Sequence, residues 1–134
     1  MQKVAFLLFI IIVLTSCQSD PPSGNEILFG DVIGNYDGEC ADYTLSTEEL
    51  MNREDATLSI IAASTSSAGI KTSCDRISDQ ELPLKTASAA KIIFEKSVDN
   101  IIVTMTYIAE HDSIVIIHTQ DGKNENLIFT GKRN

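Results

Sequence analysis

The sequence predicts an all-β domain, an antiparallel meander of short strands that closes into a small barrel. Two observations favour this fold: short runs of alternating apolar and polar residues recur between residues 35 and 132, and tight turns separate them. No β-α-β alternation is visible, so a parallel sheet is not expected. A β-sandwich stays open as the alternative, because two packed layers would also bury the apolar face and protect the edges.

The strand candidates follow one another closely along the chain. The first covers 35–45, and Asp121-Gly122 is a typical hairpin turn before the last. Between the first two strands, Ser46 and Glu49 form a capping-box pattern that predicts one short helix near 47–53. The remaining strands are predicted at 56–63, 70–75, 82–85, 90–98, 100–110, 113–120 and 126–132.

The last three strands supply the candidate interior of the barrel. Alternation places one row of side chains on each face, and the inner face is ambiguous wherever both rows are apolar. A hollow barrel would line its cavity with Ile101, Val103, Met105, Tyr107, Val115, Ile117, Leu127 and Phe129. A filled core built from the same side chains is the alternative.

The first residues have the layout of an export signal. Lys3 precedes an unbroken apolar run at 4–14, and the small pair Thr15-Ser16 leads to Cys17. As a helix, this run would cover roughly 16 Å, about half of the roughly 30 Å hydrocarbon core of a bilayer. A membrane span is therefore not expected, whereas a cleaved signal peptide is.

Leu14-Thr15-Ser16-Cys17 resembles the bacterial lipobox. The resemblance implies a lipoprotein signal peptide at 1–16, a diacylglycerol thioether on Cys17 and an acylated amino group, which together anchor the chain durably in a membrane. Gln18 follows the cysteine where aspartate would imply retention in the inner membrane. We therefore expect a lipid-anchored protein of the cell envelope, located at the outer membrane.

The polar stretch after Cys17 contains two prolines and a glycine, and it is typical of a flexible tether. The predicted organisation is thus a lipidated cysteine and tether at 17–30 and one β-barrel domain at 31–134. Loss of Lys3 with the signal would change the net charge from −9 to −10. Such acidity argues against a nucleic-acid partner and is compatible with a basic one, although a solvated acidic surface is the simpler explanation.

With Cys17 lipidated, two cysteines remain. The oxidising envelope predicts a Cys40–Cys74 disulfide, with two free buried thiols as the alternative. A loop of about 35 residues closed in this way would contribute about 4 kcal/mol of stability. Two widely spaced cysteines without a nearby histidine do not match zinc spacing, so no metal is expected there.

Gly34-Asn35-Tyr36 opens the first strand, and Phe129 to Arg133 lies in the last. This pattern resembles a small lipocalin-like (calycin-type) barrel. The resemblance implies that a basic residue, Lys132 or Arg133, packs over the Tyr36 ring beside Gly34 and closes one barrel end by a cation–π contact. The chain departs from the family pattern because Tyr36 stands at the usual tryptophan position.

No motif in the sequence indicates catalysis. Nucleophile elbows, phosphate loops and paired catalytic side chains are all missing from it, and no cofactor or metal is expected. The two histidines, His111 and His118, lie roughly 23 Å apart along one strand, too far to share a metal.

The leading functional hypothesis is therefore not an enzyme. It is a membrane-anchored lipoprotein whose barrel binds an apolar small molecule or lipid. The alternative is an interaction or inhibitor module with a filled core that binds a basic partner such as a lysozyme.

Overall fold

In the computed structural model, which describes residues 29–134, eight antiparallel strands form one closed barrel. Each strand pairs with its neighbours in sequence, and β8 closes the ring on β1 through pairs such as Tyr36↔Arg133 and Thr44↔Glu125. The predicted all-β barrel is confirmed, and the sandwich alternative is not adopted. The strands are β1 Gly34–Thr44, β2 Glu49–Ser64, β3 Ser67–Thr72, β4 Gln80–Ala87, β5 Lys91–Val98, β6 Ile101–Ile108, β7 Ser113–Gln120 and β8 Glu125–Arg133.

The short helix predicted near 47–53 does not form. Residues 45–48 make a turn, and β2 begins directly at Glu49. The capping side chain is used elsewhere, because the Asn124 amide donates to Ser46 Oγ at 2.6 Å and accepts from the Ser46 N–H at 3.1 Å. The short helical pieces of the described residues lie at 29–32 and, as a 3₁₀ turn, at Ala109–His111.

The core lies inside the barrel and is filled with side chains. An eight-stranded barrel is just wide enough for its own side chains to fill the lumen. Alternate residues of each strand point inward, so the period of two in the sequence becomes burial in the structure. The largest fully buried side chains are Tyr36, Phe94, Phe129, Leu58, Ile60, Leu82, Ile92, Met105, Ile114, Ile116, Val32 and Cys40.

One face assignment in the predicted lining was wrong. On β7 the inward residues are Ile114 and Ile116, both fully buried, whereas Val115 and Ile117 lie on the outer face. Both faces of this strand are apolar, so its alternation could not identify the inner one. The other predicted lining residues do lie in the core or against it: Val103, Met105, Tyr107, Leu127, Phe129 and, partly buried, Ile101.

The two ends of the barrel are covered by non-strand segments. At the end where β1 begins, the helical turn at 29–32 buries Phe29 and Val32, and the Phe29 ring meets Phe94 edge-on at 5.5 Å. At the opposite end, the β3–β4 connection at 73–79 buries Cys74 and Ile77. Segments of its own chain therefore cover part of each barrel end.

The predicted signal peptide at 1–16, Cys17 and most of the tether at 17–30 lie outside the described residues. Phe29 belongs to the core, two residues before the domain boundary predicted at 31. Within the described residues, the helical segments are too short or too polar to cross a bilayer.

Candidate functional site

The predicted closure of one barrel end is formed by Arg133. Its guanidinium carbon lies 5.1 Å from the centre of the Tyr36 ring, in cation–π geometry. Gly34, with φ +151°, makes room for it, because a Cβ there would overlap the guanidinium. Lys132 is exposed on the outer face, so of the two basic candidates only Arg133 takes this role.

Arg133 also ties the segment at 31–33 to the barrel wall. Its Nη1 donates to the carbonyl of Ile33 at 2.7 Å, and its Nη2 donates to the carbonyl of Asp31 and, at 3.0 Å, to the Tyr36 hydroxyl. The Tyr36 hydroxyl in turn donates to the carbonyl of Val32 at 2.7 Å. These hydrogen bonds hold this end of the barrel together, and we call Tyr36, Arg133 and the carbonyls that they bind the clamp.

A carboxylate completes the clamp. Asp112, the C-cap of the 3₁₀ turn, accepts from Arg133 Nε at 2.9 and 3.0 Å and from the Tyr107 hydroxyl at 3.0 Å. Asp112 was not predicted as a site residue, because in the sequence only its place in the turn Glu110-His111-Asp112 marks it; in the structure its backbone is left-handed. Because each polar group of the clamp is bonded to another part of the chain, we assign the cluster a structural role.

Because of Tyr36, the stability of the folded protein is expected to fall at alkaline pH. Burial raises the pKa of Tyr36 to about 12, although Arg133 opposes the shift. The tyrosine pKa is higher in the folded state than in the unfolded state, where it is near 10. The stability that the protonated hydroxyl contributes is therefore fully present below about pH 10 and is lost as the pH rises toward 12. Between about pH 8 and about pH 11 the loss from this group is on the order of 1 kcal/mol.

Tyr36→Phe is therefore expected to be less stable than the wild type near pH 8 and to approach it near pH 11. Urea unfolding of both proteins at the two pH values measures the difference. Tyr107, whose pKa is also raised by burial, is common to both proteins and cancels in the comparison. A pH-independent difference would contradict the assignment to Tyr36.

The predicted disulfide is present at the opposite end. Cys40 on β1 is bonded to Cys74 in the β3–β4 connection, with the Cα atoms 6.2 Å apart. Glu54 lies beside the bond, its Oε1 3.9 Å from Cys74 Sγ. These three residues are the one group of clustered metal-ligand types among residues 29–134. Because the two sulfur atoms are bonded to each other, neither is a thiolate that could bind a metal.

The histidines lie at opposite ends of β7. His111 is exposed in the 3₁₀ turn, whereas His118 faces the barrel opening at the disulfide end. There it lines, with Lys96, Asp99 and Val103, a cleft of about 270 Å³. This opening is polar and carries both charge signs.

Carboxylates concentrate on the outer face of β1 and β2. Asp37, Glu39 and Asp55 line an open cleft of about 430 Å³ on the outside of the barrel wall. Glu39 and Asp55 are direct cross-strand partners, and Arg53 bonds to Glu39. Lys132 lines the same cleft as the cross-strand partner of Asp37, so this open surface carries three carboxylates and two basic side chains, Lys132 and Arg53.

The hairpin of β1 and β2 extends beyond the barrel. We call residues 45–55 the β1–β2 arm. Every residue from Glu49 to Asp55 is exposed, on both faces of the strand. Three large apolar side chains of the arm are also exposed, Leu45 at 48%, Leu50 at 45% and Met51 at 51%. The arm was not predicted, because the sequence pattern favours a helix near 47–53.

The closed ring with a basic side chain over an aromatic ring is consistent with a small lipocalin-like barrel. No protein-family model, no curated protein and no solved structure matches the chain. Tyr36, at the position where the lipocalin-like pattern has tryptophan, adds a hydroxyl that both donates to Val32 and accepts from Arg133.

Proposed function

We propose that the mature chain is a lipid-anchored module of the cell envelope that binds a basic protein partner through its outer surface. It works by binding and not by catalysis. The observation that carries the proposal is the filled barrel: the lumen is occupied by its own side chains, and the cleft at the disulfide end is polar and shallow enough to leave the core residues buried. The proposed surface for recognition is therefore the outside of the wall.

The filled interior weighs against the leading expectation of an apolar ligand. Such a ligand would have to displace side chains such as Phe94, Met105 and Phe129, all fully buried. Protein cores are packed at close to crystal density, and opening a cavity in one costs several kcal/mol. The clefts of about 430 and 440 Å³ lie outside the wall, with Asp37 among their lining residues.

Charge supports a basic partner. The chain has 19 acidic and 10 basic residues, a net charge of −9. The carboxylates of Asp37, Glu39 and Asp55 share one open face. A field of one sign speeds the encounter with an oppositely charged protein and disfavours partners of like charge.

The proposed anchor would orient the module. The lipobox pattern supports lipidation of Cys17, and Gln18 supports placement at the outer membrane. The chain enters the barrel at Phe29, at the end where β1 begins. The β1–β2 arm lies at the opposite end, about 35 Å away along the strand, and would face away from the anchoring membrane.

Binding to a lysozyme tests the proposal. Full-length protein in zwitterionic vesicles is mixed with lysozyme and floated through a gradient at about 20 mM and about 300 mM salt. We expect lysozyme to float with the protein at low salt and to bind at least about tenfold more weakly at high salt. An acidic protein of similar size is the negative control.

Matched variants locate the surface. Asp37→Asn/Asp55→Asn is expected to weaken binding clearly more than Asp99→Asn/Glu110→Gln, which changes the net charge equally in turns away from the acidic face. No flotation of lysozyme or of cytochrome c at low salt would overturn the proposal. A non-covalent adduct in native mass spectrometry that leaves on denaturation would favour the ligand-binding barrel instead.

A further inference from the structure

Half of β2 has no strand on one side. β2 covers Glu49–Ser64, but β3 pairs with it only from Leu58 onward. On the other side, β1 pairs with β2 from Glu49 to Ile60. Among the described residues, 49–56 therefore present a strand edge toward solvent, which we call the β2 edge.

The bonds at neighbouring residues show which way the backbone points. Thr57 donates its N–H to Ser73 Oγ at 2.9 Å and accepts the Ser73 N–H at 3.0 Å, so its backbone groups point away from β1. Alternation along a strand gives Asp55 the same direction. The β3–β4 connection reaches the β2 edge again through Arg76, whose Nη2 donates to the carbonyl of Asn52 at 3.2 Å. The outward N–H and C=O of Asp55 lie between these two contacts.

The β2 edge has few of the devices that protect strand edges. Lysine, proline and bulges are the usual protection. Residues 49–56 contain neither lysine nor proline, and their one irregularity is the bulge at Asn52, with φ +51°. Of the three acids of the β2 edge, Glu54 pairs with Arg76 at 3.2 Å, whereas Glu49 and Asp55 have no ionic partner among residues 29–134, and Arg53 is bonded to Glu39. This charge opposes pairing with a second copy of the same strand and favours a basic one.

We propose that the β2 edge binds an extended basic segment of a partner protein as an added strand. Backbone hydrogen bonds would supply affinity, and alternate side chains would supply selectivity. On the outer face, lysine or arginine side chains of that segment would meet Asp55 and its cross-strand partner Glu39. Apolar side chains would contact Leu50 or Met51. The inference rests on the proposed basic partner and adds the surface and the mode of recognition.

Amide hydrogen exchange of the unaltered protein tests the inference. The probe is a terminally blocked peptide of four Lys-Val repeats, added to full-length protein in zwitterionic vesicles. A peptide of four Lys-Pro repeats has the same charge but cannot form a strand ladder. We expect the Lys-Val peptide to slow exchange within 49–56 at least about fivefold and the Lys-Pro peptide to leave it unchanged.

A pair of variants separates backbone bonding from charge. Asp55→Asn and Asp55→Pro remove the same carboxylate, but only proline also removes the outward N–H, at a strand edge where proline is tolerated. Asp55→Pro is expected to bind the Lys-Val peptide at least about tenfold more weakly than Asp55→Asn. Equal affinity of the two variants would overturn the inference. If Asp55→Pro does not fold, hydrogen exchange of the wild type decides.

The outcomes distinguish this inference from the proposed function. If lysozyme binds and exchange within 49–56 stays fast with both peptides, the basic partner stands and the β2 edge is not its site. If neither lysozyme nor either peptide binds, both proposals fail. Slowed exchange that depends on protein concentration without peptide would show pairing of two copies and would also overturn the inference.

Discussion

Replacing Cys40 and Cys74 together by serine is expected to lower the free energy of unfolding by about 4 kcal/mol. The bond joins residues 34 apart in sequence, so its removal restores much conformational freedom to the unfolded chain. It also frees the β3–β4 connection, whose Cys74 and Ile77 cover the barrel end. Urea unfolding monitored by circular dichroism measures the change.

Reduction of the wild type is the matched control for the disulfide. It breaks the same bond but keeps both buried sulfur atoms, so the difference from the serine variant isolates the cost of the two buried hydroxyls. Exchange of the amides at 73–79 should become faster in both cases. A loss below about 1 kcal/mol on reduction would contradict the role given to the bond.

Arg133→Met is expected to lower the free energy of unfolding by about 3 kcal/mol. The change removes the cation over Tyr36 and the donors to the carbonyls of Asp31 and Ile33. It also leaves Asp112 without its charged partner. Arg133 retains some solvent exposure, so the loss stays below that of a fully buried ion pair.

Lys132→Met is the matched control for Arg133, because it removes the same charge one residue earlier on the outer face. It should change stability by no more than about 0.5 kcal/mol. Arg133→Lys keeps the charge but loses the planar fork, so it should fall between the two. Equal effects of Arg133→Met and Lys132→Met in urea unfolding would contradict the clamp.

Much of the fold could be predicted from local pattern. Alternation and turn residues located the strands, and β7 has the bounds that the sequence predicts, 113–120. The β1–β2 arm could not be predicted this way. Its sequence from Glu49 to Asp55 is rich in helix-forming residues, and Ser46 presents a capping side chain. Pairing with β1 overrides this preference, because each residue gains partners from a distant part of the chain.

The candidate surface was likewise predictable only in part. Composition predicted an acidic domain, and the cysteine arithmetic predicted the Cys40–Cys74 bond, which the structure confirms. Neither could show that Asp37, Glu39 and Asp55 share one open face, or that β2 outruns β3 and leaves an edge unpaired. Those properties depend on strand register, which only the closed ring sets.

The sequence by itself determined the fold class, the strand positions and the one disulfide available to the domain, because alternation, turn chemistry and cysteine count are local or countable properties. Only the tertiary structure decided that Ile114 and Ile116 point inward and that Arg133, not Lys132, closes the barrel. The physical reason is common to both cases. Neighbouring residues of a strand point to opposite faces, and when both are apolar or both are basic, only packing against the rest of the ring distinguishes them.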